Sequence, residues 1–260
     1  MGVLEMVKIV IDAGHGFDTP GKRSPANERE WLFNDKVVRA TIAKLQTYEN
    51  VEILRVDDPT GKTDVPLKER TNKANEWKAD VYVSIHHNAL TEEWGEHSGI
   101  ETYTMHQSKA NPKSKDIAAA VHPRIVKAMG LRDRGIKQAN FHVLRETAMP
   151  AILTESGFMD SVVDIIKLRD EQYLKAEGEA IAEGLAAYIN LVPKSTKEDA
   201  LYQPTSKELI DATTIILQHL ESGRKGIIPE KWIKEMNEGT LTDSNAIGLL
   251  YVVIHRWLTE

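Results

Sequence analysis

Four side chains stand where chemistry is usually done. His15 lies in Asp12-Ala13-Gly14-His15-Gly16, directly after the apolar run Val7 to Ile11, and His86 closes the run Val81-Tyr82-Val83-Ser84-Ile85. Imidazoles serve proton transfer and metal binding. Taken singly, each of these reads more simply as a loop or strand-end histidine; two in the same kind of place change the balance. Glu30 opens a helical pattern, where either it or Glu28 satisfies the preference of helix starts for acids. Glu155 follows Pro150-Ala151-Ile152-Leu153-Thr154. A carboxylate at the end of a buried strand carries a desolvation cost unless it has a partner or a task.

Cysteine is absent, which excludes thiolate metal sites, disulfides and a cysteine nucleophile. Two imidazoles and one carboxylate make a typical catalytic zinc site with one position open to water. Zinc so held lowers the pKa of water towards ~7, and a further carboxylate can then act as general base and proton donor. Residue types alone do not assign the ligands. Competing signals fail. There is no His-Glu-x-x-His. Gly61-Lys62-Thr63 lacks the earlier glycine of a phosphate loop, since Val56 stands there. Gly14 and Gly16 lack the third glycine of a dinucleotide fingerprint, and Ser156 and Ser161 lack a nucleophile-elbow context.

The elements that must position these groups follow from periodicity. Val7–Asp12, Val51–Val56, Val81–His86, Gly99–Met105, Phe141–Arg145 and Ala151–Glu155 read as strands; Trp31–Tyr48, Leu67–Trp77, Ile117–Met129 with Gly130 as C-cap, and Tyr173–Leu191 read as helices. Strands alternating with helices imply a mostly parallel twisted sheet covered by helices on both faces. Ligands in such sheets sit beyond the carboxyl ends of the strands, where His15, His86 and Glu155 fall. The pattern breaks at Val192-Pro193-Lys194-Ser195. The expected organisation is a catalytic domain over 1–192, a linker over 193–205 and a small all-α domain over 206–260, with helices at 206–220, 229–237 and 244–258.

The formal net charge of −6 speaks against a nucleic-acid partner, which calls for a basic footprint. No apolar run is long enough to span a bilayer, and no signal segment is read at the start. Synthesis in the cytoplasm without a signal peptide is therefore expected, with release by lysis or a membrane pore.

Six sequence blocks resemble the zinc-dependent N-acetylmuramoyl-L-alanine amidases of the amidase-3 family, particularly the sporulation and phage cell-wall amidases of bacilli. The blocks are Val7-Lys-Ile-Val-Ile-Asp-Ala-Gly-His15-Gly, Glu30-x-x-x-Asn34, Leu67-x-x-Arg70-x-x-x-Ala74-Asn75, Val83-Ser-Ile-His86-x-Asn88-Ala, Gly99-Ile-Glu-Thr-Tyr, and Asn140-Phe-His-Val-Leu-Arg145 through Pro150-Ala-Ile-Leu-Thr-Glu155-x-Gly-Phe. They occur in family order across residues 7–190. The resemblance implies that His15, Glu30 and His86 hold Zn2+ and that Glu155 is the catalytic carboxylate. Glu30 is chosen over Glu28 because Asn34 follows it by four. The resemblance also implies cleavage of the amide between N-acetylmuramic acid and L-alanine in peptidoglycan, which leads to cell-wall lysis in an endolysin or sporulation role.

Arg70 and Arg145 match family positions and are read as ion-pairing or substrate-side residues, with ion pairing favoured. Asn88 is a candidate for hydrogen bonding in the site. His87 departs from the family, where a small or apolar residue is more usual; it reads as a substrate contact, a support behind the ligands or an exposed side chain. The family can carry an autoinhibitory helix over the zinc, but the segment between Ile85 and Gly99 is short, so an open cleft is expected. Competing functions are another zinc amidohydrolase acting on murein and a wall-binding module without catalysis. The tail, 206–260, is read as wall-binding, with homodimerisation as the alternative.

Overall fold

The computed structural model of the chain describes residues 6–91, 93–106 and 111–194, together with Lys234 and Glu238. The chain divides into two compact units, Met1–Pro193 and Lys194–Glu260. The first contains β1 (Val7–Ala13), α1 (Glu30–Leu45), β2 (Val51–Arg55), α2 (Leu67–Glu76), β3 (Val81–Asn88), β4 (Ile100–Thr104), α3 (Lys113–Met129), β5 (Asp133–Gln138), α4 (His142–Arg145), β6 (Ala151–Phe158), α5 (Ile165–Leu168) and α6 (Glu171–Ile189). The helices expected over 206–260 lie outside the described residues. Lys234 and Glu238 are one helical turn apart, with the Lys234 carbonyl accepting from the Glu238 N–H at 2.9 Å.

The six strands form one sheet in the order β2-β1-β3-β6-β4-β5. All neighbouring pairs are parallel except β4 with β6, which is antiparallel. Alternate residues of a strand face opposite sides, and both sides are apolar here. Ile9, Ile11, Val83, Ile85 and Ile152 pack beneath α1, α3 and α6. Val10, Tyr82, Ala151 and Leu153 pack against Ala74 of α2 and Val143 and Leu144 of α4. This explains why β1 and β3 read as largely apolar runs without strict alternation: a strand covered on both faces needs no polar side. Helix ends follow local chemistry. The Asp170 carboxylate caps α6 by accepting from the Gln172 N–H at 2.9 Å, and Gly130 ends α3 in the left-handed region at φ 56°.

One expectation needs correction, and one strand went unread. Phe141–Arg145 is not a strand. His142–Arg145 forms one helical turn in which the adjacent residues Val143 and Leu144 are both buried, whereas Phe141 is exposed; a strand would send the two neighbours to opposite faces. The segment Asp133–Gln138, which carries no apolar alternation, is the edge strand β5 and pairs only with β4. An edge strand held by backbone hydrogen bonds and open to solvent does not have to be apolar.

Candidate active site

Asp12 and Ser84 are direct partners across β1 and β3, and His86 is the direct partner of Glu155 across β3 and β6. The three central strands thus deliver their polar residues to one carboxyl edge. His15 follows β1 immediately, and Glu30 is the first residue of α1. The N–H of Glu30 donates to the Lys22 carbonyl at 3.1 Å, so the loop preceding α1 folds back and fixes where that helix begins.

Glu30 sits between the two imidazoles. Its Oε2 is 3.4 Å from His15 Nε2, and its Oε1 is 3.0 Å from His86 Nδ1. The His15 and His86 rings meet edge to face at 5.0 Å between centroids. One ligand atom from each of the three residues falls within 4.8 Å of the others, the only such group of three or more His, Cys, Asp or Glu among the described residues. The donor set, two imidazole nitrogens and a carboxylate oxygen, suits zinc.

The electrostatics agree with this use. Burial lowers the His15 pKa to about 4 against the opposing pull of Glu30, which leaves that imidazole neutral with a lone pair to give. Burial would raise Glu30, but the hydrogen bond with His86 and the charges of His15 and His86 hold it down at about 2. Burial works against the protonated form of His86, and its contact with Glu30 raises its pKa nonetheless. A carboxylate buried between two imidazoles draws positive charge to this point.

The environment also selects the nitrogen of His86 that faces Glu30. Asp12 Oδ2 accepts from Tyr82 Oη at 2.9 Å and from Ser84 Oγ at 2.8 Å. Ser84 has then spent its proton, so its oxygen accepts from His86 Nε2 at 3.2 Å; Nδ1, which donates to Glu30 here, is thereby the nitrogen left on the side of Glu30 and His15 to give up its proton to a metal. Metal-binding histidines are commonly oriented by such a bond at the other nitrogen. Asp12 is anchored in turn by Arg70 Nη1 at 2.6 Å.

Arg70 lies under the site rather than in it. Its side chain is 1% exposed, and its guanidinium is spent on Asp12, Asp64 and the carbonyls of Ala13, His15 and Val65. All three guanidinium nitrogens are engaged in these bonds, and Arg70 also lines the pocket beside the site. Arg145 binds Glu146 at 2.6 Å and the Asn140 side chain at 2.7 Å, bracing the turn around α4. Asn88, at the end of β3, reaches Glu101 Oε2 at 3.5 Å. His87 is fully buried, between Asn34 and Glu177, so neither an exposed position nor a substrate contact describes it.

The chain turns sharply where it leaves β1. The sharp turn is made by His15 itself, at φ 67°. Gly14 is needed because a Cβ there would lie 2.1–2.4 Å from the His86 ring, and Gly16 because its Cβ would meet the Asp64 backbone at 2.8 Å. A non-glycine residue in the left-handed region stores strain that surrounding contacts must hold; the Arg70 bond to the His15 carbonyl at 2.9 Å is one of them.

Glu155 lies across from these groups. Burial, opposed by His86 and reinforced by Glu30, pushes its pKa up to about 8, and its Oε2 is buried without a hydrogen-bond partner. A carboxyl group in that condition is prepared to exchange a proton near neutral pH. Its antiparallel partner Glu101, which sequence reasoning passed over, is satisfied instead by Tyr103, Arg134 and Lys137. A pocket of about 290 Å³ opens beside the site, lined by Gly14, His15, Asp64, Leu67 and His86 among others. Among the described residues of the segment 89–99 there is no helix to cover it.

Comparison with known proteins gives the same picture from another direction. Residues 9–187 match the model of the amidase-3 family, described as N-acetylmuramoyl-L-alanine amidase. The chain is 40% identical over 202 residues to the N-acetylmuramoyl-L-alanine amidase CwlM of Bacillus licheniformis, covering 76% of this chain and 74% of that one. It is 35% identical over 198 residues to the endolysin of Bacillus phage SPP1, covering 73% and 69%. The crystal structure of an N-acetylmuramoyl-L-alanine amidase from Clostridium difficile 630 superposes with a TM-score of 0.66 at 35% identity, covering 72% of this chain and 98% of that one. With residues 9–187 matched by the family model and about three quarters of its length by a curated relative, the chain belongs to the amidase-3 family of N-acetylmuramoyl-L-alanine amidases.

Proposed function

We propose that this chain is a zinc-dependent peptidoglycan amidase cleaving the bond between N-acetylmuramic acid and the L-alanine of the stem peptide, with His15, Glu30 and His86 as ligands and Glu155 as the proton-transfer group. The observation that carries this reading is the Glu30 carboxylate held between two imidazoles, with the unpartnered Glu155 in register with one of them. When bound, zinc supplies a Lewis acid that acidifies water and stabilises charge on the amide oxygen. The protein does the rest. Asp12 and Ser84 hold His86 in one tautomer. Arg70 holds the His15 turn. Glu155 removes a proton from the attacking water and returns it to the departing alanine nitrogen, a transfer its raised pKa suits.

For the tail, the proposal is that residues 206–260, joined through 193–205, keep the enzyme at an insoluble wall. A tethered module acts by raising local concentration.

The experiment is mass spectrometry of muropeptides digested with and without a chelator. Release of peptides bearing a free L-alanine amine, lost on chelation and restored by zinc, supports the reading. Release of acetate, of new reducing sugar or of internal peptide fragments would replace it with another hydrolase.

A further inference from the structure

His87 and Glu177 form a buried polar pair that neither the sheet nor the helix packing requires. Both side chains are 0% exposed, and His87 Nε2 lies 3.3 Å from Glu177 Oε2. Glu177 Oε1 is buried without a partner. Burying an acid in this way is unfavourable relative to an apolar residue of the same shape, so the pair calls for an explanation.

The hydrogen bonds lead from it to the metal site. Asn34 Nδ2 donates to the Gly14 carbonyl at 3.0 Å and faces Glu30 Oε1 at 3.4 Å. With the amide nitrogen so used, Asn34 Oδ1 must accept, and it lies 2.8 Å from His87 Nδ1, which therefore carries the proton. His87 Nε2 then faces Glu177 Oε2 at 3.3 Å. The backbone N–H of His87 also faces Glu30 Oε1, at 3.4 Å. The ring of His87 is thus one bond from Asn34, and Asn34 touches both Glu30 and the residue before His15. His86 is its chain neighbour. Glu177 reaches this position because α6 lies close on α1: a Cβ on the next residue, Gly178, would stand 2.5 Å from the Val37 carbonyl.

Resting on the zinc reading above, we infer that His87 and Glu177 are positioning residues, which lock the Asn34 amide so that Glu30 and the His15 turn are held ready for the metal, and which tie α6 to that centre. Neither touches substrate. Supports of this kind are worth about 10–100-fold in metal affinity.

The test is zinc affinity of the full-length protein, measured by chelator competition, beside thermal unfolding of the metal-free form. An asparagine places its amide nitrogen near His Nδ1 and a glutamine near His Nε2. His87→Asn should therefore keep the bond to Asn34 but lose that to Glu177, and like Glu177→Met it should lose about 10–100-fold in zinc affinity, as should His87→Gln, which loses the bond to Asn34. Glu177→Gln, whose amide can still donate to His87, should restore most of the affinity lost in Glu177→Met. A role confined to packing would instead lower the unfolding temperature of these variants and leave zinc affinity unchanged, and that result would overturn the inference. Should His87→Gln fail to fold, the two Glu177 variants decide. A wild-type protein that does not bind zinc would sink the metal reading and this inference together; wild-type binding matched by Glu177→Met would sink this inference alone.

Discussion

His86 and Glu155 are direct partners across the β3–β6 ladder, so the proposed ligand and the proton-transfer carboxylate are held in register by backbone hydrogen bonds rather than by each other. Substitutions at the two positions should separate cleanly. Glu155→Gln should keep zinc and the fold while activity falls by about 10²–10⁴-fold, the usual contribution of a general acid–base group. His86→Ala should lose both zinc and activity. Metal analysis beside muropeptide hydrolysis checks this; zinc loss in Glu155→Gln would make Glu155 a ligand instead.

The unpartnered Glu155 also makes a prediction about stability without metal. Its pKa in the fold is raised to about 8, above the value of about 4.5 expected of the unfolded chain. Below that lower value both states are protonated and there is no penalty. As pH climbs towards 8 the unfolded state gives up its proton first, and the fold loses stability. In chelator, Glu155→Gln should therefore match wild type at pH 4 and exceed it in melting temperature at pH 8. Equal melting temperatures across that range would show that Glu155 is not strained by its burial.

Arg70 distinguishes support from substrate recognition. Removing it leaves Asp12 buried without its cation, a loss of about 3–5 kcal/mol. Arg70→Ala should accordingly show a large drop in denaturant midpoint together with weaker zinc binding. A stable variant changed only in KM would return Arg70 to the substrate side.

Gly178 measures how tightly α6 must lie on α1. A methyl group there would stand 2.6 Å from Ala40 Cβ and 2.8 Å from the Thr41 nitrogen. Gly178→Ala should destabilise by about 1–3 kcal/mol through overpacking, despite the better helix propensity of alanine. Denaturant unfolding of the variant reads this directly, and a stabilised protein would contradict the close approach.

The tail is tested by division. The solved Clostridium difficile amidase matches 72% of this chain over 98% of its own length, so a catalytic part over residues 1–192 is expected to work alone. It should hydrolyse soluble muropeptides normally but bind and lyse whole cells poorly. A reporter fused to residues 196–260 should sediment with purified sacculi. A fusion that stays in the supernatant, with the truncated enzyme falling from dimer to monomer, would assign the tail to dimerisation.

Local chemistry is written in the sequence by itself. Apolar runs set β1 and β3, the 3.6-residue period set α1 and α6, and Gly130 marked the end of α3, because these depend on each residue's own preference and on which face is buried. The polar residues at the ends of β1, β3 and β6 were legible for the same reason, as was Asn34 in its motif. Tertiary structure decided what depends on distant neighbours. The polar segment Asp133–Gln138 became a strand only because β4 offered it an edge. His15 took the left-handed turn with its carbonyl held by Arg70, a distant residue, and Gly14 left room for the His86 ring of another strand. Glu177 looks like any acid in an amphipathic helix; it meets His87, 90 residues away in the chain, only once α6 has settled on α1, since packing and not local preference fixes what a buried side chain finds opposite it.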